Sequence, residues 1–207
     1  MSEDETGLRD RLQALREDHS PVEDLGWTDA AIAVLLLLGL WLVVGVFQGP
    51  SAPGTEGTPT AVVGSQAPEA TFTTVQGETK QLSDYSGKVV LWVFTTWCPS
   101  CQQGAAALQR NNDRLRNVTV IAVKSAGNAG YAGPSVPSFV DQYAPELRNA
   151  SNWVWGTLSH GSTRIWNPQN RPDVYYIIEP NGEITGKGGA PAVTLEKIMR
   201  FASGTEG

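Results

Sequence analysis

The chain has two cysteines, Cys98 and Cys101, set three positions apart in the segment Trp97-Cys98-Pro99-Ser100-Cys101. A C-x-x-C pair does dithiol chemistry when a helix starts directly after its first cysteine. That sulfur then faces the unpaired N–H groups of the first turn and the positive end of the helix dipole, and both favour thiolate over thiol. Under such influence a thiol pKa falls from about 8.5 toward the ~3.5–7.5 of nucleophilic cysteines. Pro99 suits the first helical position, where an N–H would have lacked a helical partner anyway. Cys101, one turn on, can attack a mixed disulfide on Cys98 and release the product. In this scheme Cys98 is the exposed attacking sulfur and Cys101 the buried resolving one.

Two readings compete with this one: a metal-ligand pair and an inert disulfide. A tetrahedral metal site needs two further soft or imidazole ligands, and the chain offers only His19 and His160. A structural framework needs several bridges between distant points, which two adjacent cysteines cannot supply. The expectation is therefore redox chemistry at a Cys98–Cys101 disulfide, with no organic cofactor and no metal.

The elements around the pair have the order such a site requires. VVLWVF (89–94) is a continuous apolar, β-rich run, as expected of a strand buried on both faces. A helix is predicted from Cys98 to about Leu115, and VTVIAVKS (118–125) reads as a second buried strand. TFTTV (71–75) and ETKQL (78–82) flank Gln76-Gly77 as a hairpin, and DVYYIIE (173–179) and EITGKG (183–188) flank Pro180-Asn181-Gly182 as another. Residues 138–147 are predicted helical, WVWGTL (153–158) a strand and 194–202 a closing amphipathic helix. This is an α/β order, with helices covering a central sheet. Trp92, Trp153, Trp155 and Trp166 are expected to pack in the core rather than line a ligand site.

The formal charge of −6 is local. Residues 1–29 carry nine acids and three arginines, while the remainder balances twelve acids against twelve bases. The body is thus neutral, and no basic face points to nucleic acid. Ala30 to Phe47 is an uncharged apolar run of eighteen residues, enough to cross a hydrocarbon core of about 30 Å as a helix. An acidic stretch precedes it where a signal peptide would be basic, and no A-x-A-like cleavage site follows, so the run is read as a retained anchor. Arg9, Arg11 and Arg16 precede it and no base follows until Lys80, which places the N-terminus inside and the bulk of the chain outside a cytoplasmic membrane. The expected organisation is an acidic cytoplasmic tail (1–29), one transmembrane helix (30–47), a Gly/Pro/Ser/Thr-rich flexible linker (48–66) and a folded domain (67–207).

VVLWVFTTWCPSC resembles the active-site segment of thioredoxin-like proteins, particularly the membrane-tethered TlpA/ResA type. GSQAPEATFTTVQGETKQLSDYSGK (64–88) is similar to that family's first hairpin and its approach to the central strand. NRPDVYYIIEPNGEITGKGG (170–189) is similar to its cis-proline strand and following hairpin. The resemblance implies a thioredoxin-like fold, a central mixed sheet with helices on both faces, and places Pro172 as the cis-proline beside the dithiol. It also implies that Trp97, Pro99, Ser100, Arg171 and Pro172 bind substrate or tune the sulfurs.

Three departures from the family pattern stand out. The buried acid that thioredoxins carry six residues before the first cysteine is Trp92 here, and the glutamate that ResA-like members carry six residues after it is Gly104. No proton-handling carboxylate occupies either place. The hairpin from Pro172 to Gly182 is also one residue longer than usual. Arg171, in a position the family keeps small or apolar, either faces the sulfurs and favours the Cys98 thiolate, or points outward or pairs with Asp173.

The resemblance implies a thiol–disulfide oxidoreductase acting on exported cysteine-containing proteins as a reductant, for instance of apocytochrome thiols, with electrons from a membrane thiol carrier. A DsbA-like oxidant is the alternative within the class. A Cu(I) chaperone using Cys98, Cys101 and His160, or a redox sensor signalling through the anchor, are alternatives of another class.

Overall fold

A computed structural model describes residues 59–204. The acidic tail, the apolar run 30–47 and most of the linker lie outside the described residues. Among the described residues no helix is long and apolar enough to cross a membrane.

The elements follow the chain as β1 (Thr71–Thr74), β2 (Thr79–Gln81), β3 (Lys88–Phe94), α1 (Pro99–Arg110), β4 (Val118–Lys124), α2 (Val136–Tyr143), β5 (Trp153–Leu158), α3 (His160–Trp166), β6 (Asp173–Ile178), β7 (Ile184–Gly188) and α4 (Leu195–Ser203). The seven strands form one sheet in the order β2-β1-β5-β4-β3-β6-β7. Strand β3 runs parallel to β4 and antiparallel to β6, so the sheet is mixed.

The apolar run of β3 is buried throughout, and its alternation divides the core in two. Val90, Trp92 and Phe94 face α1, α2 and α4, packing with Leu108, Phe139, Tyr175 and Phe201. Val89, Leu91 and Val93 face the other way, with Phe72, Trp166, Tyr176 and Ile178. Helices therefore cover both faces, and all four tryptophans expected in the core are buried.

Four details differ from the sequence reading. The first helix ends at Arg110 and is followed by a separate 3-10 turn, Asn112–Leu115. The helix expected over 138–147 begins two residues earlier and ends at Tyr143. Helix α3 was not anticipated: its Gly, Ser and Thr residues are weak helix formers. It is held by Ser159, whose hydroxyl accepts from the Ser162 N–H at 3.1 Å, and by burial of Trp166. The end of the presumed linker is part of the domain, because Ala61 is buried and bonded to the Ile165 carbonyl and Gly64 to that of Ile184. The β6–β7 pairing carries a bulge at Thr185 of β7, between Ile177 opposite Gly186 and Ile178 opposite Ile184.

Candidate active site

Strand β3 ends at Phe94, and Thr95, Thr96 and Trp97 carry the chain to Cys98, the N-cap of α1, with Pro99 in its first turn. A side-chain amide holds this short connection. Asn128 accepts from the Thr96 N–H at 3.0 Å, and its own carbonyl accepts from the Trp97 indole at 2.8 Å. Asn128 adopts left-handed backbone geometry (φ 54°), one of four consecutive residues with positive φ after β4. A non-glycine residue there is uncommon, and here its side chain secures the active-site loop. The same loop lays the exposed ring of Tyr131 4.8 Å from that of Trp97. Neither Asn128 nor Tyr131 carries a motif that the sequence could have flagged.

Both cysteines are free thiols. Cys101 is fully buried, as expected, but Cys98 is only 5% exposed, which corrects the expectation of an open attacking sulfur. Its place under the Trp97 loop and against the core accounts for the cover. A second correction concerns the helix start: the Cys98 side chain makes no capping hydrogen bond to the first turn. Its Sγ lies instead 3.0 Å from the Ser100 hydroxyl.

Ser100 leads to the feature the sequence reading missed. Its hydroxyl donates to Asp173 Oδ2 at 3.0 Å, and the Trp92 indole donates to Asp173 Oδ1 at 2.7 Å. Asp173 opens β6 opposite Phe94, in phase with Tyr175 and Ile177, so its side chain falls on the α1 face of the sheet. The residue that replaces the usual acid on β3 thus holds an acid supplied by the neighbouring strand. Burial raises the Asp173 pKa, while the bonds from Trp92, Ser100 and the Ala190 N–H oppose that shift. The other family position is closed by packing: a Cβ on Gly104 would lie 3.2 Å from Pro191 Cδ and 3.4 Å from Trp92 Cζ2.

Cys101 is held strongly as a thiol. Burial comes first, the nearby Asp173 charge second, and together they push its pKa far above the ordinary thiol value against a bond from the Thr95 backbone. Its S–H donates to the Pro172 carbonyl at 3.1 Å, which also accepts from the Thr95 hydroxyl.

Pro172 therefore sits beside the dithiol through its carbonyl, but the bond before it is trans: the described residues contain no cis peptide. Just upstream, the Asn167 side chain clamps both the N–H and the C=O of Arg171, and an ordinary trans proline leads into β6. Arg171 is exposed and bonds neither the sulfurs nor Asp173, so the outward-pointing reading is the one realised. His160 starts α3 on the surface, and among the described residues no three His, Cys, Asp or Glu side chains converge as metal ligands.

The chain is similar to several known proteins. The AhpC/TSA family matches residues 63–152. Soluble secreted antigen MPT53 of Mycobacterium tuberculosis is 28% identical over 134 residues, covering 63% of this chain and 66% of that protein. The chain thus spans slightly less than two thirds of that relative. Thioredoxin-like protein YneN of Bacillus subtilis is 31% identical over 81 residues, 39% of this chain and 48% of the relative. Among solved structures, a domain of a possible thiol-disulfide isomerase from Cytophaga hutchinsonii superposes with a TM-score of 0.53 at 18% identity, covering 70% of this chain and 97% of that one. The fold is thioredoxin-like. Its C-x-x-C stands at the strand-to-helix junction between β3 and α1.

Proposed function

We propose that the chain is a membrane-tethered reductant of disulfides in exported proteins, with Cys98 as nucleophile and Cys101 as resolving thiol. The observation that carries the reading is the placement of Cys98 at the start of α1 with the buried Cys101 one turn behind it. The Cys98 thiolate attacks one sulfur of a substrate disulfide. A mixed disulfide forms and the first substrate sulfur leaves as a thiolate that takes up a proton. Cys101 then loses its proton and attacks Cys98, forming the Cys98–Cys101 disulfide and expelling the second substrate thiol. Two electrons and two protons pass to the substrate, and a membrane thiol–electron carrier restores the dithiol.

The reducing direction is supported by the carboxylate beside the sulfurs. A nearby negative charge disfavours thiolate, and a dithiol whose ionised form is not stabilised is the stronger reductant. The neutral body, the apolar run at 30–47 and the arginines before it support a single-pass protein with its domain outside the cytoplasmic membrane and no role on nucleic acid. Apocytochrome thiols are one substrate of suitable chemistry.

The test is a redox titration of the full chain against glutathione and dithiothreitol, with turnover of a disulfide-bonded protein. A potential near that of thioredoxin, about −270 mV, fits the reductant, whereas one near about −120 mV makes it an oxidant. Absence of turnover in the wild type, or its persistence in Cys98→Ser, overturns the oxidoreductase reading.

A further inference from the structure

The hydrogen bonds around Ser100 have a definite direction. A hydroxyl has one proton to give. If Ser100 donates to the Asp173 carboxylate at 3.0 Å, then across the 3.0 Å contact with Cys98 the sulfur must be the donor. The chain of donors runs from Cys98 S–H to Ser100 O–H to Asp173. Reversing every bond in it yields the other state: Asp173 O–H donates to Ser100, and Ser100 O–H donates to a Cys98 thiolate. Between the two states one proton leaves sulfur and one arrives at the carboxylate, the hydroxyl is regenerated and the total charge stays at −1.

We propose that Cys98 and Asp173 share a single proton through the Ser100 hydroxyl, so that Ser100 is a relay built into the C-x-x-C and not a spacer. This rests on Cys98 being the nucleophile.

The surroundings suit such a shared proton. Asp173 is 9% exposed, and the groups packed against it are few. Strand β3 presents the Trp92 N–H, α1 presents Ser100 and Cys101, β6 presents Tyr175, and the segment after β7 presents the Ala190 N–H. The Tyr175 hydroxyl is itself engaged with Thr194 at 2.9 Å. Among the described residues no lysine, arginine or histidine pairs with Asp173 to fix it as a carboxylate. The Trp92 bond is satisfied in either state, because the indole needs only an acceptor. Moving the negative charge to Cys98 places it on the sulfur that must attack and relieves the buried carboxylate of its charge. Cys101 is not on this path, since its proton is directed to the Pro172 carbonyl.

The experiment is the pH profile of Cys98 alkylation in the reduced full chain, with modified peptides mapped by mass so that Cys98 and Cys101 are read separately. Two groups sharing a proton titrate as a pair, so the wild type gives two steps. Asp173→Asn collapses the profile to one step at lower pH, because the competing negative charge is gone. Ser100→Ala moves the other way: the thiolate loses its donor, and neutral-pH alkylation slows roughly tenfold or more, the size of a lost bond to a charged group. Ser100→Thr, which keeps the hydroxyl, restores the rate.

A wild-type profile with one step, or a Ser100→Ala profile that coincides with wild type, overturns the relay. These readings need no turnover. Should alkylation behave as described while no disulfide substrate is reduced, the proposed function fails and the relay stands. Should turnover depend on Cys98 while Ser100→Ala titrates as wild type, the relay fails alone.

Discussion

The two faces of strand β3 are equally buried and yet chemically unlike. Beneath α3, Leu91 and Val93 meet Tyr176, Ile178 and Trp166 in a layer closed by apolar packing. Beneath α1, the same strand contributes Trp92 and Phe94 to a core that also holds two thiols and, at its edge, a carboxylate. The difference shows the condition under which a small domain tolerates a buried acid. Both Asp173 oxygens are occupied by donors, and the group lies where β6 begins, next to the first turn of α1. A buried carboxylate without such partners would cost several kcal/mol by general solvation arguments. The apolar face stabilises the fold, whereas the α1 face gives up some stability to hold a reactive group in place.

The comparison can be broken most severely at the sulfur. Cys98→Ser abolishes reduction of disulfide substrates, measured by turnover, while thermal unfolding of the reduced protein changes little because the swap is nearly isosteric. On the apolar face, Leu91→Ala opens a cavity and lowers unfolding free energy by about 2–5 kcal/mol, by the same amount across pH, as urea titrations at several pH values would record. On the other face, Gly104→Glu, which restores the family's acid to its usual place, drives a side chain into Pro191 and Trp92. It costs about 1–3 kcal/mol from overpacking and gives no gain in turnover.

Smaller effects sharpen the contrast through pH. The folded-state pKa of Asp173 is raised above its unfolded value near 3.8. The protein is thus favoured while the group is protonated and loses that margin as pH climbs from about 4 through the folded pKa. Asp173→Asn removes this slope, which paired stability curves between acid and neutral pH would detect. Cys101 adds a second decline in the reduced protein alone, beginning as pH rises past the ordinary thiol range. The smallest effect belongs to Arg171→Ala: with the guanidinium exposed and unpaired to the dithiol, the Cys98 alkylation profile stays where it is in the wild type.

What was legible in the sequence followed from local physics. Cys98 and Cys101 with Pro99 marked a helix start, the unbroken apolar run of β3 marked a strand covered on both sides, and turn residues marked two hairpins. Pairing a dithiol with that strand–helix junction is a matter of neighbours in the chain, and the structure places all of it as expected. Helix α3 escaped because its residues have little intrinsic preference for helix, and burial of Trp166 decided the matter.

The acid escaped for a different reason. Asp173 is 72 positions from Cys101, and nothing in the residues flanking it says which strand will lie alongside. Sequence alone determined that Trp92 and Gly104 could not handle a proton, and so left the dithiol without an evident base. Only the antiparallel pairing of β6 with β3 put Asp173 opposite Phe94 and within reach of Trp92 and Ser100. Side-chain alternation is encoded residue by residue, but register between strands is settled by packing across the whole sheet, and the carboxylate's position depends on that register.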